Sequence, residues 1–149
     1  MPFAFASHFA PDYLLAALEL YRNNFRPSEV LAEPYAMVAV NVIVAETDEE
    51  AQRLATSQQQ QFLNLIRRQT GPLRPPVDDI ERIWSPEEKA LIQRQLGFSA
   101  IGSPSTVRKK LEEIVQETRA DELIIAAQIY DHSARLQSYE LLAELAKQN

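Results

Sequence analysis

Cysteine is absent from the 149-residue sequence. Disulfides, thiolate metal sites and a cysteine nucleophile are excluded at once. Histidine occurs only at His8 and His132. That is too few for a multi-histidine metal centre, and no metal site is expected. Glycine is nearly as scarce, limited to Gly71, Gly97 and Gly102. Neither a G-x-G-x-x-G nor a Walker-type phosphate loop can be written on those three positions. No apolar run approaches the ~18 residues that would cross a bilayer. The segment from Met1 to His8 has no basic region ahead of its short apolar stretch, unlike a secretory signal. A cytoplasmic protein with no membrane partner is expected. Basic charge is in the minority, 15 Lys+Arg against 21 Asp+Glu, for a formal net charge of -6. That balance argues against a nucleic-acid backbone as partner.

What remains suits one globular domain over residues 1–149, at 46% hydrophobic and 24% charged. Residues 3–7 read as a short buried strand. Pro11 and Asp12 open a helix, since proline fits a first turn and an acid there complements the helix dipole. Leu14, Leu15, Leu18, Tyr21 and Phe25 give its apolar stripe, and Pro27 stops it. Residues 36–45 form the clearest strand, nearly continuous in β-branched residues as expected when both faces are covered. Thr47 with Glu50 forms a capping box that starts a helix at Asp48 and carries it to about residue 67. Four glutamines, 58–61, lie inside that helix.

Residues 68–85 form a long excursion with three prolines and a glycine, of a length that is usually functional or mobile. Ser85, Pro86, Glu87 and Glu88 cap a short helix that Gly97 ends. Gly102, Ser103 and Pro104 start another helix, with Val107, Leu111, Ile114 and Val115 as its apolar face. Its exposed N-terminus could bind an anion, although plain capping is the better reading. Residues 122–130 read as a third strand. Asp131 then caps a last helix carrying Leu136, Tyr139, Leu142 and Leu145. Strand-then-helix repeats with buried strands give a parallel α/β sheet of about three strands.

The order and spacing of several segments resemble a known family. They are the run from Pro2 through Ser7, His8 and Phe9, then Ala17 to Tyr21, and Val40-Asn41-Val42-Ile43-Val44-Ala45-Glu46-Thr47 with Asp48 to Ala51. Ile101-Gly102-Ser103-Pro104, Ala120 to Ile124, and Tyr130-Asp131-His132 with Arg135 and Ser138 to Leu142 complete the set. Together they resemble the C-terminal portion of luciferase-like, flavin-dependent monooxygenases, which are (β/α)8 TIM barrels. Such a barrel needs about 250 residues. The strands found here are similar to its sixth, seventh and eighth.

The resemblance implies a partial barrel in which reduced FMN and O2 oxidise a small organic substrate, the cofactor supplying the chemistry and the protein positioning it. It implies that Ser7, His8 and Asn41 lie toward the flavin, where a neutral imidazole and a buried amide could hydrogen-bond it. Each also has a plain structural reading, as a loop histidine bonded to backbone or an interior amide bonded to neighbouring strands. The excursion resembles the lid segment over the active site, with Arg67, Arg68, Arg74 and Trp84 able to engage substrate or flavin on closure. No catalytic residue is assigned. The units that hold the flavin phosphate in the family are not in this chain. Open strand edges therefore imply a homo-oligomer or a second chain supplying the other part of the barrel. The alternative is a non-catalytic remnant or oligomerising module that binds no flavin.

Overall fold

One strand organises the sheet. In the computed structural model, which describes residues 1–8 and 10–147, β2 (Ala36–Val44) pairs in parallel with every other strand. Phe9, part of the first resemblance segment, lies outside the described residues. β1 (Phe3–Phe5) runs beside Ala36 to Val38. β3 (Ser99–Gly102) runs beside Asn41 to Val44, and β4 (Glu122–Ala126) beside Met37 to Asn41. Met37 and Val38 thus have β1 on one side and β4 on the other, while Asn41 has β3 across from β4. A strand has two edges, so β1 and β3 share one edge of β2 in succession.

The sequence reading gives three strands, and the described residues form four. Ser99-Ala-Ile-Gly is too short for a period-2 pattern to register. The third expected strand ends at Ala126, not at residue 130. The expected helices are all present: α1 (Leu14–Asn23), after a single 3-10 turn at Pro11–Tyr13, α2 (Asp48–Ile66), α3 (Pro86–Gln95), α4 (Pro104–Thr118) and α5 (His132–Lys147). The Thr47 hydroxyl accepts from the Glu50 N–H, whereas Ser85 and Glu88 form a complete reciprocal capping box. The sheet is α/β, parallel and not closed, a part of a barrel.

The two faces of β2 pack differently. Val38, Val40, Val42 and Val44 point outward against Leu14 and Leu18 of α1 and Val107 and Ile114 of α4. These four valines are at most 1% exposed. Each such burial contributes about 1.5–3 kcal/mol relative to exposure. Ile43 and Ala45 point the other way, into a cluster with Ala51, Leu54 and Ala55 of α2 and Ile129. α2 therefore lies on the face opposite α1 and α4, over the C-terminal end of the sheet. Leu15, Val115, Leu136 and Tyr139 of the expected stripes, and Ile66 at the end of α2, are 39–49% exposed.

Candidate functional site

The C-terminal ends of β1 and β2 bring three of the expected residues together. The Ser7 hydroxyl donates to the Ala39 carbonyl, and the His8 N–H donates to the same carbonyl at 3.1 Å. Asn41 Nδ2 donates to the His8 carbonyl at 3.3 Å. Asn41 is 1% exposed, shares the inward face of β2 with Ile43, and its Oδ1 has no hydrogen-bond partner among the described residues. Leaving such an acceptor unmet costs about 1–3 kcal/mol.

α2 roofs this group. Its N-terminal half rests on Ile43 and Ala45, and its C-terminal half packs through Phe62 and Leu63 on Ile92 of α3. α3 is tied by Arg94 to Asp12, in the turn that follows β1, at 2.8 Å. α2 thus crosses the strand ends from β3 toward β1. Helical spacing continues the stripe of Ala51, Leu54 and Ala55 to Gln58. Gln58 is 0% exposed, and neither polar atom of its carboxamide has a partner among the described residues. Ser57 Oγ, Gln61 Oε1 and Gln128 Oε1 are in the same condition. The sequence hint was there in the glutamine run, but a polar run inside a helix ordinarily marks a solvated face.

The opposite side of α2 is also covered, by the excursion. Thr56 Oγ1 accepts from the Val77 N–H at 2.9 Å, and Gln60 Nε2 donates to the Pro75 carbonyl at 2.9 Å. Arg67 pairs with Glu88 at 2.7 Å and donates to the Ile83 carbonyl at 2.9 Å. Trp84 donates to Glu81 at 3.2 Å and lines a groove with Arg53, Thr56 and Gln59. Arg74 is exposed, and Arg68 takes a left-handed backbone conformation with φ 56°. The structure does not bring Arg67, Arg68, Arg74 or Trp84 to Ser7, His8 and Asn41; the excursion is fastened to the back of the roof.

The helix N-terminus at α4 is already satisfied. Asp48 Oδ1 accepts the Ser103 N–H at 2.6 Å. That bond, with the Thr106 and Ser103 hydroxyls, holds the Asp48 carboxyl below the usual carboxylate range. Gly102 has φ +157°, and a Cβ there would meet Asp48 Oδ1 and Thr106 Cγ2 at 2.6 Å. Asp131 caps α5 by accepting the Ala134 N–H at 2.8 Å, while His132 contacts Arg135 at 3.0 Å. Asp131 and His132 therefore serve separate partners. Among the described residues, no group of three or more His, Asp or Glu is placed to hold a metal ion. No described helix is long and apolar enough to cross a membrane.

Buried carboxamides carry both a donor and an acceptor. They suit an uncharged heteroaromatic edge with alternating N–H and C=O groups. The ring edge of a flavin is of that kind, and Asn41 Oδ1 with the Gln58 carboxamide are the unmatched groups here that could meet it. The α4 N-terminus, which could take an anion, holds Asp48.

An uncharacterized protein of Bacillus subtilis (strain 168), YvbT, is 50% identical over 147 residues, which is 99% of this chain and 44% of that protein. A luciferase-like monooxygenase of Escherichia coli (strain K12) is 48% identical over 148 residues, again 44% of its length. The chain therefore spans less than half of the relatives it matches. The solved structure of apo-MsnO8 superposes with a TM-score of 0.76 at 28% identity, over 97% of this chain and 44% of that one. The oxygenating constituent of 3,6-diketocamphane monooxygenase from Pseudomonas putida, solved with FMN, shares the fold with a TM-score of 0.59 at 23% identity, over 96% of this chain and 40% of that one. Residues 1–122 match the luciferase-like monooxygenase family throughout, and the chain belongs to that family.

Proposed function

We propose that this chain forms the roofed wall of a flavin-dependent monooxygenase site and that the site binds FMN and a small organic substrate. The observation that supports it is two buried carboxamides with unmatched atoms, Oδ1 of Asn41 on the strand, whose Nδ2 donates to the His8 carbonyl, and both polar atoms of Gln58 on the roof. Asn41 and Gln58 would hold the flavin ring by its polar edge. His8 would border the ring, with its backbone fixed by Ala39 and Asn41. Ser7 acts on the protein side, fixing the β1 terminus through the Ala39 carbonyl. When bound in reduced form, FMN supplies the activation of O2. α2 excludes water from above, which strengthens every polar contact beneath it. Arg74 and Trp84 reach the site only when the excursion releases Thr56 and Gln60. Further βα units, supplied by the rest of a barrel, complete the phosphate site.

The direct test is flavin retention. The chain is mixed with FMN, alone and with the portion of the Bacillus subtilis relative that it does not span, then desalted and scanned at flavin wavelengths. Retention near one flavin per assembled barrel, lost in Asn41→Leu, supports the reading. An assembled barrel that stays colourless defeats it. The second reading, a self-associating module without flavin, draws on the exposed apolar residues of the inward sheet face, Ile124 at 44% exposure among them.

A further inference from the structure

The flavin reading engages Asn41 and Gln58 and leaves other sealed polar groups, at the same C-terminal end of the sheet, without a task. Ser57 and Gln61 stand three and seven residues beyond Leu54, on the face of α2 where Leu54 clusters with Ile43 and Ile129. Ser57 is fully buried with its Oγ unmatched, and Oε1 of the half-buried Gln61 is unmatched too. Gln128 arrives from β4. It lies two residues past Ala126, the register partner of Asn41, and between Ala127 and Ile129, which pack with α2. Its Oε1 is likewise sealed from solvent with no partner among the described residues. A strand end and the roof helix thus contribute three unmet oxygens beside the pair already assigned to the flavin.

The charges at the ends of these elements are committed elsewhere. Asp48 accepts the Ser103 N–H, Asp131 accepts the Ala134 N–H, and Arg67 pairs with Glu88. An anionic substrate would face carbonyl oxygens that have no proton to give it. A bare hydrocarbon would leave those oxygens dry and unmet, which is costly. A neutral molecule with hydrogens to donate avoids both penalties. We propose that the substrate is a small uncharged compound bearing N–H or O–H groups, an amide or an alcohol, and that Gln61 and Gln128 select it. Their carbonyl oxygens accept from it, and the Ser57 hydroxyl takes a third contact. A site built on such bonds discriminates sharply, because a ligand lacking the group leaves buried polar atoms unpaired. The proposal rests on the flavin reading, which is what makes this end of the sheet a place for substrate.

The test reads binding, not turnover. The portion of the Bacillus subtilis relative that the chain does not span is fused ahead of Met1, and the barrel is loaded with FMN. Benzamide, toluene and benzoate, three probes of nearly one shape, are titrated while the flavin absorbance is followed. Benzamide is expected to shift the spectrum at a concentration at least tenfold below the other two. Gln61→Met and Gln128→Met should each weaken benzamide about tenfold, the worth of one hydrogen bond, and leave toluene unchanged. A barrel that holds no FMN defeats the flavin reading and the proposal with it. One that holds FMN but takes benzamide no better than toluene or benzoate, or whose preference survives both methionines, overturns the substrate class alone. The isolated chain gives a second check that needs neither FMN nor the fusion. Both variants should melt no lower than the parent, since each removes an unmet acceptor. A clear drop in Tm would assign these carboxamides to the fold and overturn the proposal.

Discussion

Asp48 Oδ1 and the Ser103 N–H meet at 2.6 Å, joining the first residue of α2 to the start of α4 across 55 positions of sequence. A carboxylate in the first turn of α2 thus caps α4, while Thr47 caps α2. This contact sets the angle at which the roof leaves the sheet, because β3 and α4 are fixed to β2 by the parallel ladder and the valine core.

Gly102→Ala should therefore be costly out of proportion to one methyl group. The new Cβ would overlap Asp48 Oδ1 and Thr106, at a backbone φ that side chains rarely adopt. A loss of about 1–3 kcal/mol is expected in urea unfolding, with the slope unchanged. Asp48→Ala should lower Tm in the same direction by stranding the Ser103 N–H.

Acid should loosen the back of the roof. The Arg67 guanidinium, and then the Ser85 N–H, lower the Glu88 pKa from 4.5 to about 2. A folded value below the unfolded one adds stability above about pH 4.5, and that contribution is lost as the pH falls toward 2. Asp48, shifted the same way, adds to the slope. Glu88→Gln should flatten the fall in Tm across that window, read from thermal melts in stepped acid buffers.

Thr56→Val should free the excursion without unfolding the chain. The variant keeps the shape of the side chain but removes the hydroxyl that meets the Val77 N–H and is 6% exposed. A destabilisation of about 1–2 kcal/mol is expected, with faster amide exchange confined to residues near Val77. Uniform acceleration across the sheet would show that the strap supports the whole fold.

Asn41→Leu and Gln58→Leu should stabilise the isolated chain. Each removes a buried polar group that lacks at least one partner, so a gain of about 1 kcal/mol is expected in urea unfolding. The same variants should lose flavin in the assembled barrel, the ordinary trade between stability and function. A destabilised Asn41→Leu would point to a purely structural role through His8.

Much of this was legible beforehand because it is local. Thr47, Ser85 and Asp131 announce their helices, and the valine run announces β2, since capping and burial act within a few residues. β3 escaped because four residues gain their identity only from the strand beside them. The excursion reads as a lid from its position and length, and its ties to Thr56 and Gln60 of α2 are not legible there. Their partners, Val77 and Pro75, lie 21 and 15 residues away. Asn41 stood out as a lone amide in an apolar strand, whereas Gln58 was hidden among identical neighbours.

That concealment has a consequence. Residues 58 to 61 look interchangeable in the sequence, yet each meets different surroundings. Gln58 is sealed against the sheet side, Gln59 borders the Trp84 groove, Gln60 grips Pro75, and Gln61 is half-buried with its oxygen unmatched. An alanine scan through this homopolymeric stretch would return four unlike answers, and a count of glutamines would foresee none of them.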